Sequence, residues 1–140
     1  MKKWIIAFVI ILSGVIFLFW GADSQNLGGN YYYLPKYEAI DIGYPGGGII
    51  YKSTQKNIFR DIKIHGNVIN IGNNTDFIIA IQNTDTSYIE KAHSNFVEKD
   101  SLKYFIIVKK TDLIYGPYNN KDYIQKREEL GVPDKLELEK

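Results

Sequence analysis

The chain of 140 residues contains no cysteine. That excludes disulfides, thiolate metal centres and cysteine nucleophiles, so any domain it forms is held by packing and hydrogen bonds alone. Histidine is scarce: His65 and His93 are the only two. A zinc site would need both of them together with carboxylates, and no ligand spacing joins them. Glu90 and His93 stand three apart, like half of a di-iron carboxylate motif, but such a site needs the motif twice with two further carboxylates. Net charge is also missing. Lys and Arg number 17 against 16 Asp and Glu, and no basic stripe interleaves with aromatics, so nucleic acid is not an expected partner. No serine lies in a Gly-x-Ser-x-Gly elbow. The glycine-rich stretch 43–48 leads into a strand-like segment and has no Lys before Lys52, whereas a phosphate loop leads into a helix. No metal or cofactor is implied.

What is present begins with an apolar run. Residues 4–20, WIIAFVIILSGVIFLFW, carry no charge, and Lys2 and Lys3 precede them. As a helix this run spans roughly 25 Å, a little short of the ~30 Å hydrocarbon core of a bilayer. Trp4 and Trp20 bracket it where an aromatic belt would stand, and the lysines predict a cytoplasmic N-terminus. Residues 1–22 are therefore expected to be a membrane anchor or uncleaved signal, in contact with lipid through residues 4–20. The alternative is secretion after cleavage near Ser24, since Ala22-Asp23-Ser24 has a small-x-small pattern. The run Leu12-Ser13-Gly14-Val15 looks like a lipoprotein signal with Val15 in place of the cysteine, so no lipid can be attached there.

Residues 23–30 (DSQNLGGN) read as a flexible linker, and 31–140 as one extracytoplasmic β-rich domain. Eleven Tyr, seven Phe and abundant Ile favour strands. Strands are predicted over 31–34, 37–42 and 49–52, with Pro45-Gly46 as the central pair of a type II turn joining the last two. Over 61–65 Ile62 and Ile64 alternate with polar residues, and over 68–71 Ile69 and Ile71 share a face after a Gly66-Asn67 turn. The nearly continuous apolar segments 77–82 and 104–108 are the expected central strands, buried on both faces. Between them, Ile89, Ala92, His93, Phe96 and Val97 follow a helical period, which predicts a helix over 88–98. A short strand is expected over 113–115, ended by Gly116-Pro117. A helix over 121–130 follows, capped by Asn119 or Asn120, with Tyr123, Ile124, Arg127 and Leu130 inside and Gly131 as its stop. The tail 134–140 reads as an edge strand or a frayed end. Hairpin-length connections predict antiparallel pairing. The expected fold is thus mainly β (α+β): an N-terminal transmembrane helix, then one antiparallel sheet domain of about eight strands closed by a C-terminal helix.

Two kinds of functional residue stand out. Tyrosines crowd the first third of the chain, and Tyr31, Tyr33, Tyr44 and Tyr51 are candidates for a binding face, because tyrosine buries much area with few rotamers. The same residues also suit plain sheet packing. His65 with Asp41 or Asp61 could build the base and orienting carboxylate of a small envelope hydrolase, since such groups meet in space rather than in sequence.

The block Tyr104-Phe105-Ile106-Ile107-Val108-Lys109-Lys110-Thr111, then Ile114-Tyr115-Gly116-Pro117, then Arg127-Glu128-Glu129-Leu130-Gly131-Val132-Pro133, resembles the end of a family of small exported bacterial proteins, many of them lipoproteins. Phe77-Ile78-Ile79-Ala80 is similar to that family's preceding strand. The resemblance implies fold and export and carries no activity. The expected function is a membrane-tethered extracytoplasmic binding or structural module, with another envelope protein as a partner. The hydrolase built on His65 is the alternative.

Overall fold

The computed structural model describes residues 24–44, 46–84 and 101–139. The apolar run 4–20 and the helix expected over 88–98 lie outside them, as does Pro45, on which the type of the Tyr44–Gly47 turn rests. Among the described residues no helix is long and apolar enough to cross a membrane.

Eight strands form two four-stranded antiparallel sheets rather than one. Sheet A is β1 (Gln25–Gly28), β2 (Tyr31–Leu34), β3 (Ile49–Lys52) and β4 (Asp61–Ile64), in that spatial order. Sheet B is β5 (Val68–Asn73), β6 (Phe77–Asn83), β7 (Leu102–Val108) and β8 (Leu113–Tyr118). The sheets meet through one shared core. Leu27, Tyr31, Ile50 and Ile64 of sheet A pack with Val68, Ile71, Ile78, Ala80 and Ile107 of sheet B.

Alternation along the central strands sends the neighbouring residues the other way. On sheet B, Ile79 and Ile106 join Tyr123, Val132 and Leu136 on the outer face. That face is covered by helix α2 (Asn120–Leu130) and the tail behind it. On sheet A, Leu34, Ile49 and Tyr51 pack outward with Ala39. They lie under helix α1 (Lys36–Asp41) and the connection 53–60. The two apolar runs expected at the centre of the sheet are β6 and β7, paired residue for residue from Phe77↔Val108 to Asn83↔Leu102.

Several expectations fail for identifiable reasons. Residues 37–42, predicted as a strand, are α1. Pro35 occupies its N-cap in extended conformation, Ala39 donates back to the Pro35 carbonyl at 2.9 Å, and only Ala39 points inward. The predicted hairpin therefore dissolves, and β3 pairs with β2 instead. The polar stretch expected as a linker holds β1, with Leu27 buried against the core. Bulges break two alternation arguments. One falls between Ile62 and Ile64 in β4, so Ile62 faces outward opposite Tyr51 while Ile64 faces inward opposite Ile50. The other makes Ile69 the extra residue of β5, leaving it exposed beside buried Val68 and Ile71. The 61–65 and 68–71 segments form no hairpin, because the Gly66-Asn67 turn carries the chain from one sheet to the other. At the far end β8 continues through Gly116-Pro117 to Tyr118.

α2 starts at an Asn119 cap, whose side chain accepts the Asp122 N–H at 2.9 Å, and stops at Gly131 with φ 68°. Ile124, expected inside, is half exposed. Arg127 does turn inward, though not to pack. Its guanidinium donates to the Pro133 and Leu136 carbonyls at 2.9 Å each and binds the tail to the helix. The tail is neither a strand nor frayed. Leu136 is buried, and the Glu139 N–H donates to Ile71 O at 2.7 Å.

Gly72 is what lets the tail cross sheet B. A Cβ built there would lie 2.1 Å from the Glu137 carbonyl oxygen and 2.9 Å from its carbon. These are backbone atoms that cannot rotate away. Gly72→Ala is expected to destabilise the fold by about 1–3 kcal/mol, the usual range for overpacking. Hydrogen exchange would show the loss to be local first, with the Glu139 amide losing protection before β6 and β7. Unchanged protection at Glu139 would contradict this account of the glycine.

Candidate functional site

Among the described residues, a cluster of paired charge gathers beside the turns at one end of the sandwich. Three connections meet there: β1–β2 (Gly28 to Asn30), β5–β6 (Asn74 to Asp76) and β7–β8 (Lys109 to Asp112). Asp112 takes positive φ, 58°, in the last of these. That conformation aims its carboxylate back across sheet A. Tyr31 Oη donates to Oδ1. Lys63 Nζ lies 2.9 Å and Lys52 Nζ 3.3 Å from Oδ2. Lys63 also pairs with Asp61 at 2.9 Å, and the Lys52 ammonium stands 5.0 Å from the centre of the Tyr31 ring.

The β4 bulge places Lys63 here, with its side chain only 12 % exposed. Burial alone would raise the Asp112 pKa. The hydrogen bonds from Tyr31, Lys63 and Lys52, with the Lys63 charge, outweigh it and hold the carboxyl at about 2. Burial, and the neighbouring Asp112 carboxylate behind it, push the Tyr31 phenol well above its ordinary value. Burial opposes the charge on Lys63, but its two carboxylate partners win and raise its pKa.

Beside this cluster lies a cleft of about 540 Å³, lined by residues of all three turns, among them Asn26, Gly28, Gly29, Asn74 and Thr75. Lys109 forms its charged floor. Its ammonium donates to the Leu27 carbonyl of β1 and the Asn74 carbonyl of the β5–β6 turn, so it ties the two sheets together. Burial lowers its pKa, partly offset by Asp76. Chemically the cleft offers a partly buried cation, already donating to two carbonyls, and amide groups. That is an environment for hydrogen-bond acceptors and anionic groups.

The residues singled out from the sequence do not share one surface. Tyr31 and Tyr33 face the inner core, and the Tyr33 hydroxyl donates to Val68 O at 3.0 Å. Tyr51 and Tyr44 lie on the outer face of sheet A, in contact with Phe59. Of the four, only the Tyr31 hydroxyl reaches the turn cluster. His65 is exposed at the end of β4. Asp61 stands at the other end of that strand, roughly 13 Å away by strand rise, and is paired with Lys63. Asp41 ends α1 and is exposed. No hydrogen bond joins the His65 ring to either carboxylate among the described residues. Reading the sequence missed Lys109 and Asp112, which fall between the segments predicted as strands over 104–108 and 113–115. It also missed Lys63, which alternation assigned to the solvent face. A positive-φ aspartate and a bulge leave no periodic trace.

The model of one family, a protein of unknown function (DUF3997), matches residues 30–140. The match takes in everything from β2 to the tail, including the turn that carries Lys109 and Asp112. No curated protein and no solved structure matches.

The low Asp112 pKa sets the sign of a pH effect. A carboxylate held below its unfolded value stabilises the fold above that value, and the contribution is lost as pH falls through the folded pKa. Stability is therefore expected to drop from about pH 4 toward pH 2. Asp112→Asn should lower stability at neutral pH and flatten this acid limb, read from urea midpoints across pH. An unaltered acid limb in Asp112→Asn would show that other carboxylates govern it.

Proposed function

We propose that this chain, which belongs to the DUF3997 family, is a membrane-tethered binding module on the outer face of a cytoplasmic membrane, taking its ligand in the cleft around Lys109. The cleft carries the reading. It is a wide, shallow opening that joins three turns of both sheets, and it holds a cation whose hydration the fold has partly removed. Removing water from a cation beforehand lowers what a polar ligand must displace, the usual benefit of a prepared site. The sequence supports the tether: an uncharged run over 4–20, lysines before it and tryptophans at its ends.

Two measurements test the two halves. The full chain should stay with membranes through a carbonate wash, and protease added outside spheroplasts should remove residues beyond the anchor. Protection of the domain would place it inside and end the reading. For the cleft, a photo-crosslinking amino acid at exposed Thr75, on the lip, should capture a specific envelope component in living cells. The same probe at Lys121 of α2 should not. Identical adducts at both positions, or none at Thr75, would remove the cleft from consideration.

A further inference from the structure

Eight large hydrophobic side chains stand exposed among the described residues, and four of them belong to one layer. Tyr37 (77 % exposed), Ile40 (42 %) and Ile42 (40 %) come from α1 and its C-cap, and Ile58 (39 %) from the connection 53–60. Tyr37 and Ile40 are one turn apart on the same side of α1, while Ala39 points into the sheet. Beneath them the two segments meet where the Tyr44 and Phe59 rings stand edge to face at 6.0 Å. The other four are scattered. Leu113 and Ile114 are neighbours on β8 and so point to opposite faces. Ile69 is the bulged residue of β5, and Ile124 lies on α2.

The chain enters the domain at this same layer. Ser24 is buried and locked in a closed ring of hydrogen bonds. The Tyr51 hydroxyl donates to Ser24 Oγ at 2.8 Å, Ser24 Oγ donates to Asn57 Oδ1 at 2.8 Å, and the Asn57 N–H donates to the Tyr51 oxygen at 3.0 Å. Asn57 directly precedes exposed Ile58. Trp20, the last residue of the apolar run, is four residues before Ser24, and four residues of chain reach at most about 14 Å. An apolar run held in a bilayer therefore keeps this corner of the domain within that distance of the bilayer surface. The charges nearby are mixed, with Lys36, Lys56 and Arg60 against Glu38 and Asp41. Apolar contact, not headgroup charge, would hold such a face down.

We infer that the face made by Tyr37, Ile40, Ile42 and Ile58 rests on the lipid bilayer that holds residues 4–20. Lipid is the occupant because the chain itself delivers this face to the interface, where tyrosine is at home among headgroups. The inference rests on the membrane tether proposed above.

The absence of cysteine makes the test direct. Single variants Tyr37→Cys, Ile58→Cys and, on the opposite layer, Lys121→Cys are made in the full chain. They are labelled with an environment-sensitive fluorophore and reconstituted into phosphatidylcholine vesicles. Blue-shifted emission at 37 and 58, quenched by brominated lipid several-fold more than at 121, is the expected result. Water-like, unquenched emission at 37 and 58 in protein that still floats with the vesicles would overturn the docking and leave the tether standing. Protein that fails to float would overturn both. A blue shift that disappears on dilution with unlabelled protein, and ignores brominated lipid, would assign the face to a second copy of the chain and overturn the lipid contact.

Discussion

Sheet B has two apolar faces, and the layering of the whole molecule answers that fact. Ile78 and Ala80 point one way from β6 and Ile79 the other, and Ile107 and Ile106 repeat the division on β7. Burial of each such side chain stabilises by roughly 1.5–3 kcal/mol relative to exposure, so neither face can be left to water. Sheet A covers one, and α2 with the tail covers the other. Sheet A then has an outer face of its own with Leu34, Ile49 and Tyr51, and α1 with the connection 53–60 closes it. Four layers follow from two strands that are hydrophobic on both sides.

The polar cluster at the turns works on a different scale. The Asp112 side chain is 38 % exposed, and its ion pairs with Lys52 and Lys63 contribute about 1 kcal/mol or less each. They do not hold the sandwich together. They favour one alignment of the sheets, because most of these contacts cross from one sheet to the other: Asp112 to Tyr31, Lys52 and Lys63, and Lys109 to Leu27, while the Lys109 contact with Asn74 stays within sheet B. A slip of one residue in β4 would carry Lys63 away from Asp112 and leave it with Asp61 of its own strand. Hydrophobic burial stacks the sheets, and the polar contacts between them add to the preference for one alignment.

Much of this was legible from residue pattern, and the failures share a cause. The central strands could be read because continuous apolar runs such as FIIAIQ have one stable home. The cap at Asn119 and the stop at Gly131 could be read because each has a backbone reason. Residues 37–42 misled because one turn of helix shows too little period to separate from a strand; a single inward residue, Ala39, was its entire signature. Ile62, Lys63 and Ile69 misled because a bulge adds one residue without changing composition, and everything beyond it changes face. Gln25–Gly28 misled because an edge strand of four residues can be exposed at three of them. The site was hardest to read. Its members come from β2, β3, β4 and a turn, and nothing local marks Asp112 as the residue on which they converge.

β1 touches both the core and the polar contacts between the sheets. It is an edge strand of four residues with β2 as its single neighbour in the sheet, interrupted by a bulge after Asn26. Strands this short and this poorly paired ordinarily fray. This one is fastened at both ends. Ser24 is closed into the ring with Tyr51 and Asn57, and the Leu27 carbonyl accepts the Lys109 ammonium. Between the two fastenings, Leu27 alone enters the core. Fixing both ends of an edge strand keeps it from fraying at either end. It is what a strand requires if a force on its N-terminal end must not peel it from the sheet. A tether at residues 4–20 would apply such a force, and the cleft sits at the opposite end of the same strand, about 10 Å farther along. A pull on the tether would therefore be taken up by the Ser24 ring before it reached Lys109.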